Sequence, residues 1–246
     1  MSLTIRMIGT GSAFAKKYFN NNALVDAAGG RLLIDCGVTA PHALHALRIP
    51  LDTLDAVLIS HIHADHIGGL EELAFQLLYI HKRKIKLLIA DTLVDVLWNH
   101  SLRGGLENRE DGLAGLHDYF EVIPLQEGVP YSPFDGLSLK LLRTAHIPNK
   151  ASYSILLGDS VFYSADARFD AGLLHSLHAQ GVRHILHDCQ LFSPGTVHAS
   201  LDELLTLPEE LQEKVLLMHY GDNMSEYMGR TGRMAFMEQG RVYPLN

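Results

Sequence analysis

Apolar residues follow two rhythms along this chain. Short runs rich in Ile, Leu and Val recur at 3–8, 23–27 and 31–35, with GTG at 9–11 and GG at 29–30 between them; runs of this kind bounded by glycine predict strands of a meander. Residues 41–47 carry apolar positions at helical spacing, and 55–60 (DAVLIS) is almost wholly apolar, as in a strand buried on both faces. Leu70, Leu73, Ala74, Leu77 and Leu78 then repeat on one helical face until the basic run HKRK at 81–84 closes it. A strand at 86–90 and a short helix over 91–100 follow. Residues 101–116 mix charge with glycine and have little periodicity, which predicts a surface excursion. Strands resume at 137–144, 152–157 and 161–164, then a helix near 170–180, a strand at 184–187, a helix near 200–206 and a strand at 214–218. The halves are alike, and strands in runs with helices between and outside them predict layered sheets with helices on the outer faces. No Pro/Ser-rich linker divides them, so one α/β domain over 1–246 is expected.

Composition narrows the function. With 246 residues, 47% of them hydrophobic, the chain can bury a sizeable core, which excludes a disordered or fibrous protein. No stretch reaches the ~20 apolar residues of a membrane span, and the N-terminus lacks a secretory apolar core, so a soluble, cytoplasmic protein with no membrane partner is expected. Cys36 and Cys189 are then expected as buried free thiols. A net charge of −8 gives no basic field for a long polyanion and argues against a large nucleic-acid substrate. Histidine is the outlier, with 15 residues, several in one short run.

That run, SHIHADHIGG at 60–69, follows the buried strand and precedes the helix. His61 and His63, two apart, point to one side of an extended strand end, while Asp65 and His66 face a second position as the chain turns helical. Gly68 and Gly69 leave room for close backbone approach. Imidazole and carboxylate without thiolate suit zinc, manganese or iron, and two such ligand sets suit a binuclear site.

HxHxDH, here His61, His63, Asp65 and His66, is the signature of the metallo-β-lactamase fold superfamily, which the chain resembles over its whole length. The likeness is nearest to the ribonuclease Z-like branch, through GTGS at 9–12 and LLIDCG at 32–37 ahead of the signature. It implies a four-layer αββα sandwich and two divalent ions, zinc with manganese as the alternative. It also maps the remaining ligands: His146 in RTAHIP as the third histidine, Asp166 in SADAR as the bridging carboxylate, His219 in LMHYGD as the last. One ion would take His61, His63, His146 and Asp166, the other Asp65, His66, Asp166 and His219. Each later ligand again ends an apolar strand, and strand ends on one sheet edge converge. HDCQLF at 187–192 resembles the branch's HEAT-type motif with Asp188 in place of its glutamate, and His198 in TVHAS resembles the histidine that follows. A carboxylate orienting an imidazole makes a proton donor.

The resemblance implies hydrolysis by an activated water, with Asp65 accepting its proton and His198, oriented by Asp188, protonating the leaving oxygen. True tRNA 3′-processing enzymes of the branch carry a long arm between the third histidine and the bridging aspartate, but only 19 residues separate His146 from Asp166 here. With the acidic charge, this favours a small phosphodiester, and the chain is most similar to compact cyclic-nucleotide phosphodiesterases of the anti-Pycsar type. Those are usually homodimers, in which 101–116 or the loop at 18–22 would reach across to a partner's site. Arg230 and Arg233 are candidate anion contacts. The alternatives are a tRNA 3′-processing endoribonuclease, a thioester or lactone hydrolase, and a non-catalytic metal-binding regulator.

Overall fold

A computed structural model describes residues 3–245. Fourteen strands form two seven-stranded sheets among the described residues. In chain order they are β1 (Thr4–Gly9), β2 (Asn22–Ala27), β3 (Gly30–Ile34), β4 (Ala56–Ile59), β5 (Lys86–Ala90), β6 (Glu121–Leu125), β7 (Tyr131–Phe134), β8 (Leu137–Arg143), β9 (Tyr153–Leu157), β10 (Val161–Tyr163), β11 (His184–Asp188), β12 (Val215–Met218), β13 (Ala235–Phe236) and β14 (Val242–Pro244). The first sheet runs β14-β1-β2-β3-β4-β5-β6 and the second β13-β12-β11-β10-β9-β8-β7.

Each sheet starts as an antiparallel meander and becomes parallel. β1, β2 and β3 pair antiparallel before β4, β5 and β6 join in parallel. In the second sheet β8, β9 and β10 alternate before β11, β12 and β13 run parallel. This is the expected likeness of the halves, with helices crossing over between the parallel strands.

Side-chain alternation builds the layers. In the second sheet Ile155, Leu157, Val161, Tyr163, Leu186 and Met218 join a core shared with Met7, Leu33 and Leu58 of the first sheet. Their neighbours Leu156, Phe162, Ile185 and Leu217 face the other way, onto Leu174, Leu177, Leu201, Leu204 and Leu211 of the outer helices. A period of two thus divides the second sheet between two cores. On the first sheet, helices Ala40–Ala46, Leu70–Phe75 and Asp91–Leu97 contribute Ala43, Leu44, Leu73, Ala74, Leu93 and Leu97. The result is a helix–sheet–sheet–helix sandwich.

Some expectations shift. The helix after the histidine run is α-helical only over Leu70–Phe75 and continues as a π-helical turn, Gln76–Ile80. The excursion at 101–116 is partly built: helical turns over Trp98–Leu102 and Arg103–Leu106 bury Leu102 and Leu106. At 9–11 the chain does not turn, since Gly11 bridges both Asn20 and Tyr220. A Cβ on Gly9 would lie 2.0 Å from the Asn20 carbonyl oxygen, which accounts for the glycine. Within 18–22, Asn20, Asn21 and Asn22 are buried, while Tyr18 and Phe19 are half-buried. Both cysteines are buried free thiols, pushed up by burial. No described helix is long and apolar enough to cross a membrane.

Candidate metal centre

The C-terminal ends of β3, β4, β8, β10, β11 and β12 share one edge of the sandwich, and each runs into a residue of the site. Three leave their strands through left-handed backbone at non-glycine residues: Asp35 (φ 59°), Ala165 (φ 50°) beside Asp166, and His219 (φ 57°). Such conformations cost of order 1–3 kcal/mol and concentrate where function requires a side chain turned out of the ladder.

His61 and His63 follow β4, with His63 still extended (φ −128°, ψ 156°) before the helical turn Ala64–Ile67 presents Asp65 and His66. His146 follows β8. The structure brings all seven proposed ligands into two sets joined by Asp166: His61, His63, His146 and Asp166, and Asp65, His66, Asp166 and His219. In the first set, Asp166 Oδ2 lies 3.6 Å from His61 Nε2 and 3.7 Å from His146 Nε2. In the second, Asp166 Oδ1 lies 3.3 Å from His66 Nε2 and 3.4 Å from His219 Nε2, and Asp65 Oδ2 is 3.2 Å from both.

These residues fit a metal by two tests. His66 Nε2 and Asp166 Oδ1 are buried and make no hydrogen bond, an arrangement that wastes two polar atoms unless a cation lies between them. A tetrahedral ion with ligands about 2.0–2.1 Å away spaces them about 3.3–3.4 Å apart, close to the separations in the second set.

Asp188 and His198 adjoin the ligands. Asp188 is fully buried, and His198 Nδ1 sits 2.8 Å from its Oδ2, a contact made despite a side chain one methylene shorter than glutamate. His198 stacks on His219 with ring centres 4.8 Å apart. Asp166, Asp188, His198 and His219 form a third convergent group. Arg233 instead pairs with Glu209 at the surface, 3.1 Å away, and Arg230 is exposed.

A family model for the anti-Pycsar protein Apyc1 matches residues 3–243. The chain belongs to the anti-Pycsar Apyc1 family. It is 56% identical over 244 residues to the anti-Pycsar protein Apyc1 of Paenibacillus xerothermodurans, spanning 99% of this chain and 98% of that one. To the Apyc1 protein of Paenibacillus harenae it is 57% identical over 241 residues, 98% of this chain and 99% of that one. Among solved structures it is similar to the metallo-β-lactamase fold protein YhfI from Bacillus subtilis, with a TM-score of 0.77 at 18% identity over 99% of each chain. The sandwich is the metallo-β-lactamase fold, and its edge carries His/Asp groups that could hold metal ions.

Electrostatics divide the histidines of this Apyc1-family centre. Burial, reinforced by neighbouring imidazoles, lowers His61, His63 and His146 and keeps them neutral, the form that donates a lone pair. Burial would raise Asp65, but hydrogen bonding from His219 and the nearby His66 hold its carboxyl far below the usual range. Asp166 behaves the same way, its burial outweighed by His219 and His66. Burial would lower His66, yet the Asp166 and Asp35 carboxylates win and raise it.

Asp35 was not singled out from the sequence, although it stands in LLIDCG. Its Oδ2 lies 2.7 Å from His66 Nδ1 and accepts from Ser60 Oγ at 2.7 Å, while its Oδ1 takes the Ser60 N–H at 2.8 Å. It therefore fixes the His66 ring with Nε2 aimed at Asp166, the outer-sphere carboxylate a metal-ligating histidine usually has. The available signal was a charged residue closing the apolar run at 32–34. Asp35→Asn, which keeps the shape, is expected to weaken metal binding about 10–100-fold in chelator competition. Asn22 was also missed: its Oδ1 accepts from Gly37 N–H and its Nδ2 donates to the Asp65 carbonyl, tying the two loops together.

Two cavities flank the cluster. One, about 300 Å³, is lined by Ser12, Phe14, Gln190, Phe192, His198 and His219, among others. The other, about 540 Å³, includes His63, His100, Arg143, His146 and Lys150.

Proposed function

We propose that this chain is a metal-dependent phosphodiesterase that hydrolyses 3′,5′-cyclic nucleotides in the cytoplasm. The observation that carries the reading is the Asp188–His198 pair, 2.8 Å apart, beside the shared carboxylate Asp166 and on the wall of a small cavity. A thioester hydrolase, whose thiolate leaves without a proton, has less use for such a proton donor than an enzyme expelling a ribose alkoxide. A cyclic-nucleotide substrate is also what the family's anti-Pycsar description suggests. The stretch from His146 to Asp166 is filled by the β9–β10 hairpin and its connections, leaving no arm to grip a tRNA.

Bound divalent ions, zinc or manganese, would lower the pKa of a water to near neutrality and offset charge gathering on phosphorus. His61, His63, His146 and Asp166 would hold one ion, and Asp65, His66, Asp166 and His219 the other. Asp65 serves as the nearby carboxylate for the proton of the attacking water. His198, its Nδ1 on Asp188 and its Nε2 free, delivers a proton to the leaving oxygen. Burial opposes protonation of His198, but the hydrogen bond to Asp188 prevails and raises it.

The test is a panel of 3′,5′-cyclic nucleotides and a 3′-extended tRNA offered to zinc- or manganese-loaded protein. Cyclic nucleotides are expected to open to linear monophosphates while the tRNA stays intact, and the protein is expected to sediment as a homodimer. Trimmed tRNA with untouched cyclic nucleotides would overturn the reading. The dimer part is supported by apolar side chains left in water, including Val38, Tyr79 and Ile80.

A further inference from the structure

Phe14 and Phe192 both line the cavity of about 300 Å³ that has His198 in its wall, and both are left in water, 89% and 70% exposed. Neither sits on a loose loop. The Asp222 carboxylate accepts the N–H groups of Lys16 and Lys17 at 2.8–3.0 Å, and Ser12 N–H donates to the Tyr220 carbonyl at 3.0 Å, so the loop carrying Phe14 is fastened on both sides. On the other loop, Gln190 Nε2 donates to the Phe192 carbonyl at 2.7 Å and the Pro194 carbonyl at 2.9 Å, and Ser193 bonds to Asp202. Two large rings held in solvent by anchored backbone forgo the burial that would stabilise them, and they do so at the mouth of one cavity.

The rest follows from where the leaving oxygen must go, and it rests on the phosphodiesterase reading above. His198 can protonate only an oxygen beside it. In a 3′,5′-cyclic nucleotide both ester oxygens belong to the same ribose, so whichever P–O bond breaks, the nucleoside is carried on the side of His198. We propose that Phe14 and Phe192 receive the nucleobase of the substrate by stacking against its face. Gln190 does not read the base through its amide nitrogen, which is occupied by the Phe192 and Pro194 carbonyls. The opposite cavity offers His100, Arg143 and Lys150, groups suited to phosphate oxygens rather than to an aromatic face.

The experiment compares a cyclic nucleotide with the base-free 3′,5′-cyclic phosphate of ribose, using wild type, Phe14→Ala, Phe192→Ala, Phe14→Leu and Phe14→Trp. Losing one stacking ring is expected to raise KM for the nucleotide roughly five- to a hundredfold, with a much smaller change for the base-free compound. Phe14→Trp restores the nucleotide KM and Phe14→Leu does not. Equilibrium dialysis of the 5′-monophosphate is expected to show the same order of affinities. Equal losses on both substrates, or no loss, would overturn stacking. A change in sedimentation on truncating either ring would assign it to contact between copies of the chain and also overturn it. Wild type that opens cyclic nucleotides while the phenylalanine variants keep its KM for them removes only this inference. Wild type that opens none removes the phosphodiesterase reading and this one with it.

Discussion

Asp166→Asn is expected to leave a folded protein that holds little metal and hydrolyses its substrate at least about 10³-fold more slowly. The carboxylate is the one residue common to all three convergent groups at the site. One oxygen lies 3.3–3.4 Å from His66 and His219, the other 3.6–3.7 Å from His61 and His146. Asparagine keeps the volume, so packing survives, but it replaces a charged oxygen with a donor and cannot serve both ligand sets. Metal analysis and kinetics on the same preparation check this. Thermal unfolding adds an independent reading: saturating metal stabilises the wild type, by about 2.7 kcal/mol at a hundred times the dissociation constant, and the variant little. Full metal content with turnover within tenfold of wild type would contradict the bridging role.

The strands that carry the site were legible in the sequence for a physical reason. β4, β5, β9 and β10 are packed on both faces and almost wholly apolar, so their composition reports their burial directly. The four strands that sequence reading passed over, β6, β7, β13 and β14, are the edges of the two sheets. Edge strands are half in water and tolerate proline, as Pro124, Pro133 and Pro244 show, so neither alternation nor composition marks them. The same logic separates the ligands from their supports. A histidine run after a buried strand announces itself, and the resemblance supplied His146, Asp166 and His219, which lie too far apart in sequence for spacing to join them. Asp35 escaped because one aspartate looks like any strand end; only the fold shows its carboxylate against His66 Nδ1. Phe14 and Phe192 escaped because exposure is invisible in a sequence.

His198→Ala is expected to lower turnover of a cyclic nucleotide by about 10²–10⁴-fold while leaving metal content unchanged. His198 belongs to neither proposed ion's ligand set, and its Nδ1 is engaged by an Asp188 that is itself held in place. Asp188 Oδ2 also takes the Ala167 N–H at 3.3 Å, and Asp188 N–H donates to Ser164 Oγ at 2.9 Å. The decisive measurement is dependence on the leaving group. A ribose alkoxide cannot leave without a proton, whereas p-nitrophenolate can, so the variant should lose far less on bis(p-nitrophenyl) phosphate than on the cyclic nucleotide. Asp188→Asn removes the carboxylate that raises His198, so the protonated donor disappears at lower pH and the alkaline limb of the rate profile moves toward acid. Equal losses on both leaving groups would mean that His198 positions the substrate, and a fall in bound metal would mean that it supports the ligands. Only the selective loss, with the limb displaced in the stated direction, fits a histidine that gives up its proton as the P–O bond breaks.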